Sequence, residues 1–133
     1  MAGLLADTHA VIWYLLDSAR LSPTALAKLE SCREDGVKVG VASISIVEMV
    51  YLVDKGRVPP KAISLLLEGI EPPLSLLEVV PLTQSIALAV REVPRERIPD
   101  LPDRVIAATA LHMEVPLITR DRKIHLPQLA TIW

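Results

Sequence analysis

Short apolar runs alternate along the chain with longer stretches in which apolar residues recur at helical spacing. This alternation is typical of βα units, in which helices cover a buried parallel sheet. The runs that predict strands are residues 3–6, 37–42, 77–82, 116–119 and 131–132. The stretches that predict helices are residues 9–16, 23–34, 45–55, 61–69, 84–93 and 102–113. We therefore expect an α/β fold with three α/β/α layers around a central, mainly parallel sheet.

Local signals indicate where several of these elements begin and end. Ser22 followed by Pro23 is a helix cap with a first-turn proline, and Gly56 is expected to end the helix that Ser43 or Ser45 caps. Most of the eleven prolines lie between periodic segments, as Pro72-Pro73 does before the third strand. We expect a single domain that spans residues 1–133.

The composition excludes several classes of protein. Of the 133 residues, 51% are hydrophobic and 23% are charged, so the chain can form a buried core and is not mainly disordered. The net charge of −2 provides no overall basic field for a nucleic acid or a membrane. No apolar run approaches the roughly 18–20 residues of a membrane span, and the single Cys32 is consistent with a reducing compartment. We expect a soluble, cytoplasmic protein with no membrane partner.

Several common catalytic motifs are missing from the sequence. It contains no glycine-rich nucleotide fingerprint, no phosphate-binding P-loop and no zinc-protease motif. The two tryptophans and two tyrosines are too few to favour a stacking platform for single strands, and Trp13 and Tyr14 are expected to belong to the core. The acidic residues are the remaining candidates for chemistry.

Four acidic residues stand where the pattern predicts a strand end or the first turn of a helix. Asp7 and Asp121 follow predicted strands, whereas Glu48 and Asp103 lie near the starts of predicted helices. In a parallel sheet, both kinds of position lie at the carboxyl edge. We therefore expect the four carboxylates to meet.

A cluster of carboxylates needs a compensating positive charge, because neighbouring negative charges disfavour ionisation. Mg²⁺ prefers oxygen ligands and usually takes one or two carboxylates together with water. One or two such ions can activate water and stabilise the leaving oxygen in phosphodiester hydrolysis. The pattern therefore predicts a divalent-metal nuclease.

Each acidic residue also has a purely structural interpretation. Asp7 could cap the first helix, Glu48 could form a capping box with Ser45, and Asp121 could order a turn. Asp100 and Asp103 fit a similar cap before the sixth helix.

The neighbours of these acids have possible supporting roles. Thr8 and Thr119 could hydrogen-bond the carboxylates that bind metal, or serve turns alone. Arg104 and Arg120 are possible contacts for the phosphates of a substrate, although surface charges of this kind often face only solvent.

Four segments together resemble the PIN-domain ribonucleases of the VapC toxin type. They are residues 4–10 (LLADTHA), 42–48 (ASISIVE), 100–110 (DLPDRVIAATA) and 117–121 (LITRD). The segments occur in the family's order and span nearly the whole chain. The resemblance implies a Mg²⁺- or Mn²⁺-dependent endoribonuclease with a PIN-like fold.

The resemblance also assigns residues and partners. Asp7, Glu48, Asp103 and Asp121 match acids that bind metal and activate the attacking water in the family, and Asp100 matches a frequent additional acid. It further implies a homodimer and a cognate VapB-like antitoxin whose tail covers the active site. Helices 45–55 and 61–69 carry enough apolar residues for a dimer interface, or simply for covering the sheet.

Three functions remain open from the sequence. The first is a toxin endoribonuclease that cleaves RNA with a metal-activated water. The second is a catalytically inactive PIN-like module that binds RNA or protein, in which the acids serve as caps. The third, which we rank last, is a DNA nuclease with similar carboxylates.

Overall fold

A five-stranded sheet in which all neighbouring strands run parallel forms the centre of the protein. The computed structural model describes residues 1–72 and 75–133, so Pro73 of the predicted turn lies outside the described residues. The strands are β1 (Leu4–Ala6), β2 (Val39–Ala42), β3 (Leu77–Val80), β4 (Leu117–Ile118) and β5 (Thr131–Ile132). They are arranged in the order β3-β2-β1-β4-β5. The predicted parallel sheet is confirmed, with the first four strands shorter than predicted.

In the part of the chain that the structure describes, six α-helices connect the strands. They are α1 (Thr8–Leu15), α2 (Pro23–Asp35), α3 (Ser43–Asp54), α4 (Lys61–Ile70), α5 (Gln84–Ala89) and α6 (Leu101–Met113). The helix predicted for residues 84–93 is α-helical only to Ala89 and continues as a 3₁₀ turn over Val90–Glu92. Within the described residues, no helix has both the length and the apolar character needed to cross a membrane.

Helices cover both faces of the sheet, as the three-layer prediction requires. Because side chains alternate along a strand, Leu4 and Ala6 face one layer while Leu5 faces the other. Leu4 packs in a cluster with Met49 of α3 and Leu66 of α4. Leu5 packs in a second cluster that includes residues of α6. The strands are therefore buried on both sides, which explains their continuous apolar sequences.

The helix starts follow the sequence signals only in part. The Ser22 hydroxyl accepts a hydrogen bond of 3.0 Å from the Ala25 N–H, so the predicted cap of α2 is confirmed. The predicted serine cap of α3 is wrong, because β2 passes directly into α3 with Ala42 at the cap position and no capping side chain. Ser43 instead accepts a hydrogen bond from the Leu82 N–H, and Ser45 is fully buried.

The strand order places a crevice beside β1. The chain leaves β1 toward β2 on one side, and β4 joins β1 on the other, so the direction of winding reverses at β1. Open parallel sheets bind their ligands at the carboxyl ends of the strands where this reversal occurs. Asp7 directly follows β1 and therefore lies at that position.

Candidate active site

Asp7 combines helix capping with burial at the carboxyl end of β1. Its Oδ1 accepts a hydrogen bond of 2.9 Å from the Ala10 N–H, and its own backbone N–H donates to the Ile118 carbonyl across the sheet. Burial raises the pKa of the Asp7 carboxyl, while hydrogen bonds from the Thr119 side chain and Ala10 oppose that rise. A buried carboxyl group with fixed geometry is therefore available at the centre of this edge.

Thr8 connects the start of α1 to the start of α3. Its hydroxyl donates a hydrogen bond of 2.6 Å to Glu48 Oε1, and its Oγ1 lies 2.9 Å from the Ser45 hydroxyl oxygen. Thr8 is 2% exposed and Ser45 is fully buried, so water does not compete strongly for these contacts. The proposed capping box between Ser45 and Glu48 is wrong, because α3 has no side-chain cap.

Asp103 lies in the first turn of α6 among other acids. Asp100 caps this helix, with its Oδ1 accepting a hydrogen bond of 3.0 Å from the Asp103 N–H. Burial raises the pKa of Asp103 to about 7, and the negative charges of Asp100, Asp121, Glu48 and Asp7 add to the rise in that order. The charges of four other carboxyl groups therefore reach Asp103 through space.

Asp121 follows β4 and orders the turn after it. Its N–H donates to Thr119 Oγ1 over 3.0 Å, and its Oδ1 accepts from the Lys123 N–H over 2.9 Å. The charge of Asp121 contributes to the raised pKa of both Asp7 and Asp103. Thr119 thus contacts two acids, since its side chain also bonds Asp7.

We call the group Asp7, Glu48, Asp103 and Asp121 the acidic edge. Asp7 and Asp121 follow β1 and β4, Glu48 lies in the second turn of α3, and Asp103 lies in the first turn of α6. Within residues 1–72 and 75–133, no three acidic, histidine or cysteine side chains meet in a group that could hold a metal ion by itself. The carboxylates therefore share one electrostatic neighbourhood without converging on a single point.

The guanidinium of Arg104, a candidate phosphate contact, forms hydrogen bonds with the protein backbone. Its Nε donates to the Val93 carbonyl, and its Nη2 donates to the carbonyls of Val90 and Val93, all over 2.9–3.1 Å. These bonds hold the end of the 3₁₀ turn against α6. The geometry assigns Arg104 a structural role in positioning the start of α6.

Arg120, the second candidate phosphate contact, belongs to a cluster that the sequence reading overlooked. Its guanidinium lies 5.7 Å from the centre of the Trp13 ring, which is also 5.5 Å from His9 and 5.9 Å from Trp133. The four-residue separation of His9 and Trp13 on α1 was the available signal, because such residues share a helix face. Trp13 is half-buried against the core rather than fully enclosed.

Comparison with known proteins gives a consistent result. The family model of the PIN domain matches residues 4–129. The chain is 29% identical over 136 residues to Ribonuclease VapC22 of Mycobacterium tuberculosis, and the match covers 100% of both chains.

Solved structures have the same fold. A chain of the VapBC2 crystal structure from Rickettsia felis, bound to a promoter DNA fragment, superposes with a TM-score of 0.72 at 19% identity and covers 96% of each chain. A chain of a toxin–antitoxin complex from Klebsiella pneumoniae superposes with a TM-score of 0.64 at 25% identity, again over 96% of each chain. With the family model matching nearly its full length and acids gathered at the carboxyl edge of a parallel sheet, the chain belongs to the PIN-domain family.

Proposed function

We propose that this protein is a metal-dependent endoribonuclease, the toxin of a toxin–antitoxin pair, and that residues 1–133 form a single PIN-like domain. The observation that carries the proposal is the placement of Asp7, Glu48, Asp103 and Asp121 at one edge of the parallel sheet, where burial and four neighbouring carboxyl groups raise the pKa of Asp103 to about 7. Such crowding is costly without a cation, and a divalent metal removes the cost. The similarity to a mycobacterial ribonuclease supports RNA as the substrate.

The donor atoms of the acidic edge suit Mg²⁺ or Mn²⁺. All are carboxylate oxygens, which these hard cations prefer to nitrogen or sulfur. Mg²⁺ usually keeps several waters and takes only one or two carboxylates, which fits an edge where no three acids of the described residues converge. We assign Asp7, Glu48, Asp103 and Asp121 as metal-binding and catalytic residues, with Asp100 as a possible additional acid.

The surrounding side chains prepare these acids for their task. A bound metal would lower the pKa of a coordinated water and stabilise the charge that develops at the scissile phosphate. Thr8 fixes the orientation of Glu48 through its 2.6 Å hydrogen bond, and the Thr119 side chain opposes the rise in the pKa of Asp7. Such outer contacts hold ligands in place and adjust their basicity.

The proposed partners follow from relatives and from exposed apolar surface. The similarity to a chain of a toxin–antitoxin complex supports a cognate VapB-like antitoxin that binds this protein. Val47, Val50 and Tyr51 on α3 are 62%, 43% and 55% exposed, and together they form an apolar patch suited to a homodimer interface.

A cleavage assay tests the enzymatic proposal. The purified protein should cleave single-stranded RNA with Mg²⁺ or Mn²⁺ and should stop when EDTA is added. Asp7→Asn should remain folded and lose most activity, while Asp17→Asn, the same change at an exposed position, should keep it. Full activity of Asp7→Asn would overturn the mechanism. Preference for single-stranded DNA in the same assay would instead favour a DNA nuclease.

The second candidate is a catalytically inactive PIN-like module that binds RNA or protein. The caps formed by Asp7 and Asp100, and the turn ordered by Asp121, favour this alternative because each acid then has a structural role. A metal titration separates the two candidates, since an ion that binds only the folded protein must raise its melting temperature. If Mg²⁺ and Mn²⁺ leave the melting temperature unchanged, the inactive module is favoured.

A further inference from the structure

Four side chains form a compact group beside the acidic edge. His9 and Trp13 lie one turn apart on α1, with ring centres separated by 5.5 Å. The Arg120 guanidinium lies 5.7 Å from the Trp13 ring centre, and Trp133 approaches the same ring at 5.9 Å. We call His9, Trp13, Arg120 and Trp133 the aromatic cluster.

The aromatic cluster has a supporting part and an exposed part. Trp13 and Trp133 are half-buried and pack against the core cluster that contains Leu4, Met49 and Leu66. His9 and Arg120 are exposed and rest on Trp13. Trp13 therefore positions an imidazole and a guanidinium plane that both face solvent.

The cluster is adjacent to the acids in the chain and in space. His9 lies two residues after Asp7, and its charge acts on the pKa of Asp7. Arg120 lies directly before Asp121 and directly after Thr119, whose side chain bonds Asp7. A strand of RNA whose phosphate lies at the acidic edge would therefore pass over the cluster.

Arg120 differs from Arg104 in the contacts that its guanidinium makes. Arg104 donates three hydrogen bonds to backbone carbonyls, whereas Arg120 forms no salt bridge among the described residues. A guanidinium held over an aromatic ring can stack on a base with its outer face and donate to a phosphate from its edge. An unpaired nucleotide provides both a base for stacking and a phosphate for hydrogen bonding.

We propose that the aromatic cluster is a nucleobase platform, which stacks an unpaired RNA base beside the phosphate that the acidic edge cleaves. The proposal rests on the proposed ribonuclease function and adds to it the residues that select single-stranded substrate. Proteins that bind single strands commonly stack bases on aromatic rings and on arginine. The platform supplies the local positive charge that the net charge of −2 does not provide.

Tryptophan fluorescence offers a direct test. The chain contains two tryptophans, Trp13 and Trp133, and both belong to the cluster, so intrinsic tryptophan emission reports on the platform alone. A short single-stranded oligoribonucleotide mixed with the protein in Mg²⁺ by stopped flow should change this emission in the binding phase. An abasic oligomer with the same number of phosphates should not.

Two variants compare stacking with simple charge. Arg120→Gln should weaken binding of the oligoribonucleotide by about fivefold or more, the range found when one stacked base loses its platform. Arg122→Gln removes the same charge two residues away, at an exposed position outside the cluster, and should change binding less than twofold. His9→Ala should weaken binding as Arg120→Gln does, and in the cleavage assay both should raise KM more than they lower kcat.

These experiments test the proposed nucleobase platform separately from the proposed ribonuclease activity. Equal emission changes with the normal and abasic oligomers, or equal weakening by Arg120→Gln and Arg122→Gln, would overturn the platform even if RNA is cleaved. A base-dependent change without any cleavage would support the platform and reject the nuclease. Circular dichroism and melting temperatures of the variants verify that exposed-site substitutions leave the fold intact.

Discussion

At the level of single residues, the acids of this protein hold structural and chemical positions at once. Asp7 caps α1 and Asp100 caps α6, yet both also contribute to the raised pKa of Asp103. A cap places a carboxylate at a helix N-terminus, where the helix dipole favours negative charge. The two caps therefore place their carboxyl groups both at a helix start and within reach of Asp103.

The pKa of Asp103 predicts how stability depends on pH without metal. Its folded pKa is about 7, well above the ordinary pKa of an aspartate, so the folded state holds a proton that the unfolded chain releases at lower pH. Stability should therefore fall as pH rises from about 4 to about 7, and this change should be reduced in Asp103→Asn. Melting curves in EDTA across this range measure both effects.

A bound divalent metal should reverse part of the loss of stability that occurs as pH rises. Mg²⁺ at pH 8 should raise the melting temperature of the wild-type protein more than that of Asp103→Asn, because the ion relieves the repulsion that ionised Asp103 experiences. A wild-type melting temperature that rises steadily from pH 4 to pH 8 in EDTA would contradict the assigned crowding.

Thr8→Val tests whether the orientation of Glu48 matters for activity, because it removes the hydrogen bond to Glu48 and keeps the carboxylate. Valine has nearly the shape of threonine but cannot donate the 2.6 Å hydrogen bond to Glu48 Oε1. Loss of a hydrogen bond that orients a metal ligand typically reduces activity or metal affinity by about 10- to 100-fold. RNA cleavage and Mg²⁺ titration of the variant measure this reduction.

The control is Thr24→Val, the same substitution on the exposed surface of α2. This variant should cleave RNA like the wild-type protein. If Thr8→Val cleaves equally well, the contact between Thr8 and Glu48 has no part in catalysis.

The sequence predicted the position of the acids better than their contacts. Strand ends and the N-terminal halves of helices were sufficient to bring Asp7, Glu48, Asp103 and Asp121 to one edge, because parallel topology fixes those positions. The bond from Thr8 to Glu48 depends on how α1 packs against α3. A single sequence contains no local signal for such a pairing between distant residues.

At the level of elements, Arg104 fastens the 3₁₀ turn to α6. The Val90 carbonyl already accepts a hydrogen bond from the Val93 N–H within the turn, and Arg104 donates to it and to the Val93 carbonyl from α6. The helical periodicity predicted one helix over residues 84–93, but it did not predict this arginine contact or the tightening after Ala89. The end of that helix is therefore set by tertiary structure.

Removing this contact should destabilise the protein. Arg104→Ala removes the three guanidinium hydrogen bonds, including both of those to the Val93 carbonyl, and should lower the free energy of unfolding by about 1–3 kcal/mol. Urea denaturation measures the change. Arg95→Ala, an exposed arginine in the same irregular segment, should have an effect within about 0.5 kcal/mol. Equal effects of the two substitutions would contradict the assigned role of Arg104.

At the level of the whole molecule, the apolar patch on α3 bears on assembly. Val47, Val50 and Tyr51 lie at helical spacing on one face and are all more than 40% exposed. Leu67 on the neighbouring α4 is 57% exposed as well. Exposed apolar patches of this kind are typical of protein–protein interfaces.

A charged substitution tests whether this patch forms the homodimer. Val47→Glu places a carboxylate in the proposed interface and should convert the dimer to monomers in sedimentation equilibrium. Leu26→Glu changes an exposed leucine on α2 and should leave the dimer intact. Sedimentation of the wild-type protein as a monomer at micromolar concentration would reject the homodimer.

The pairing of β1 with β4 has a consequence during translation. Leu5 and Ala6 lie beside Leu117 and Ile118, so the central strand receives its second neighbour only after most of the chain has left the ribosome. A stalled or prematurely terminated product that ends before α6 already contains Asp7 and Glu48 but lacks Asp103 and Asp121. Incomplete copies of the protein therefore cannot assemble the acidic edge.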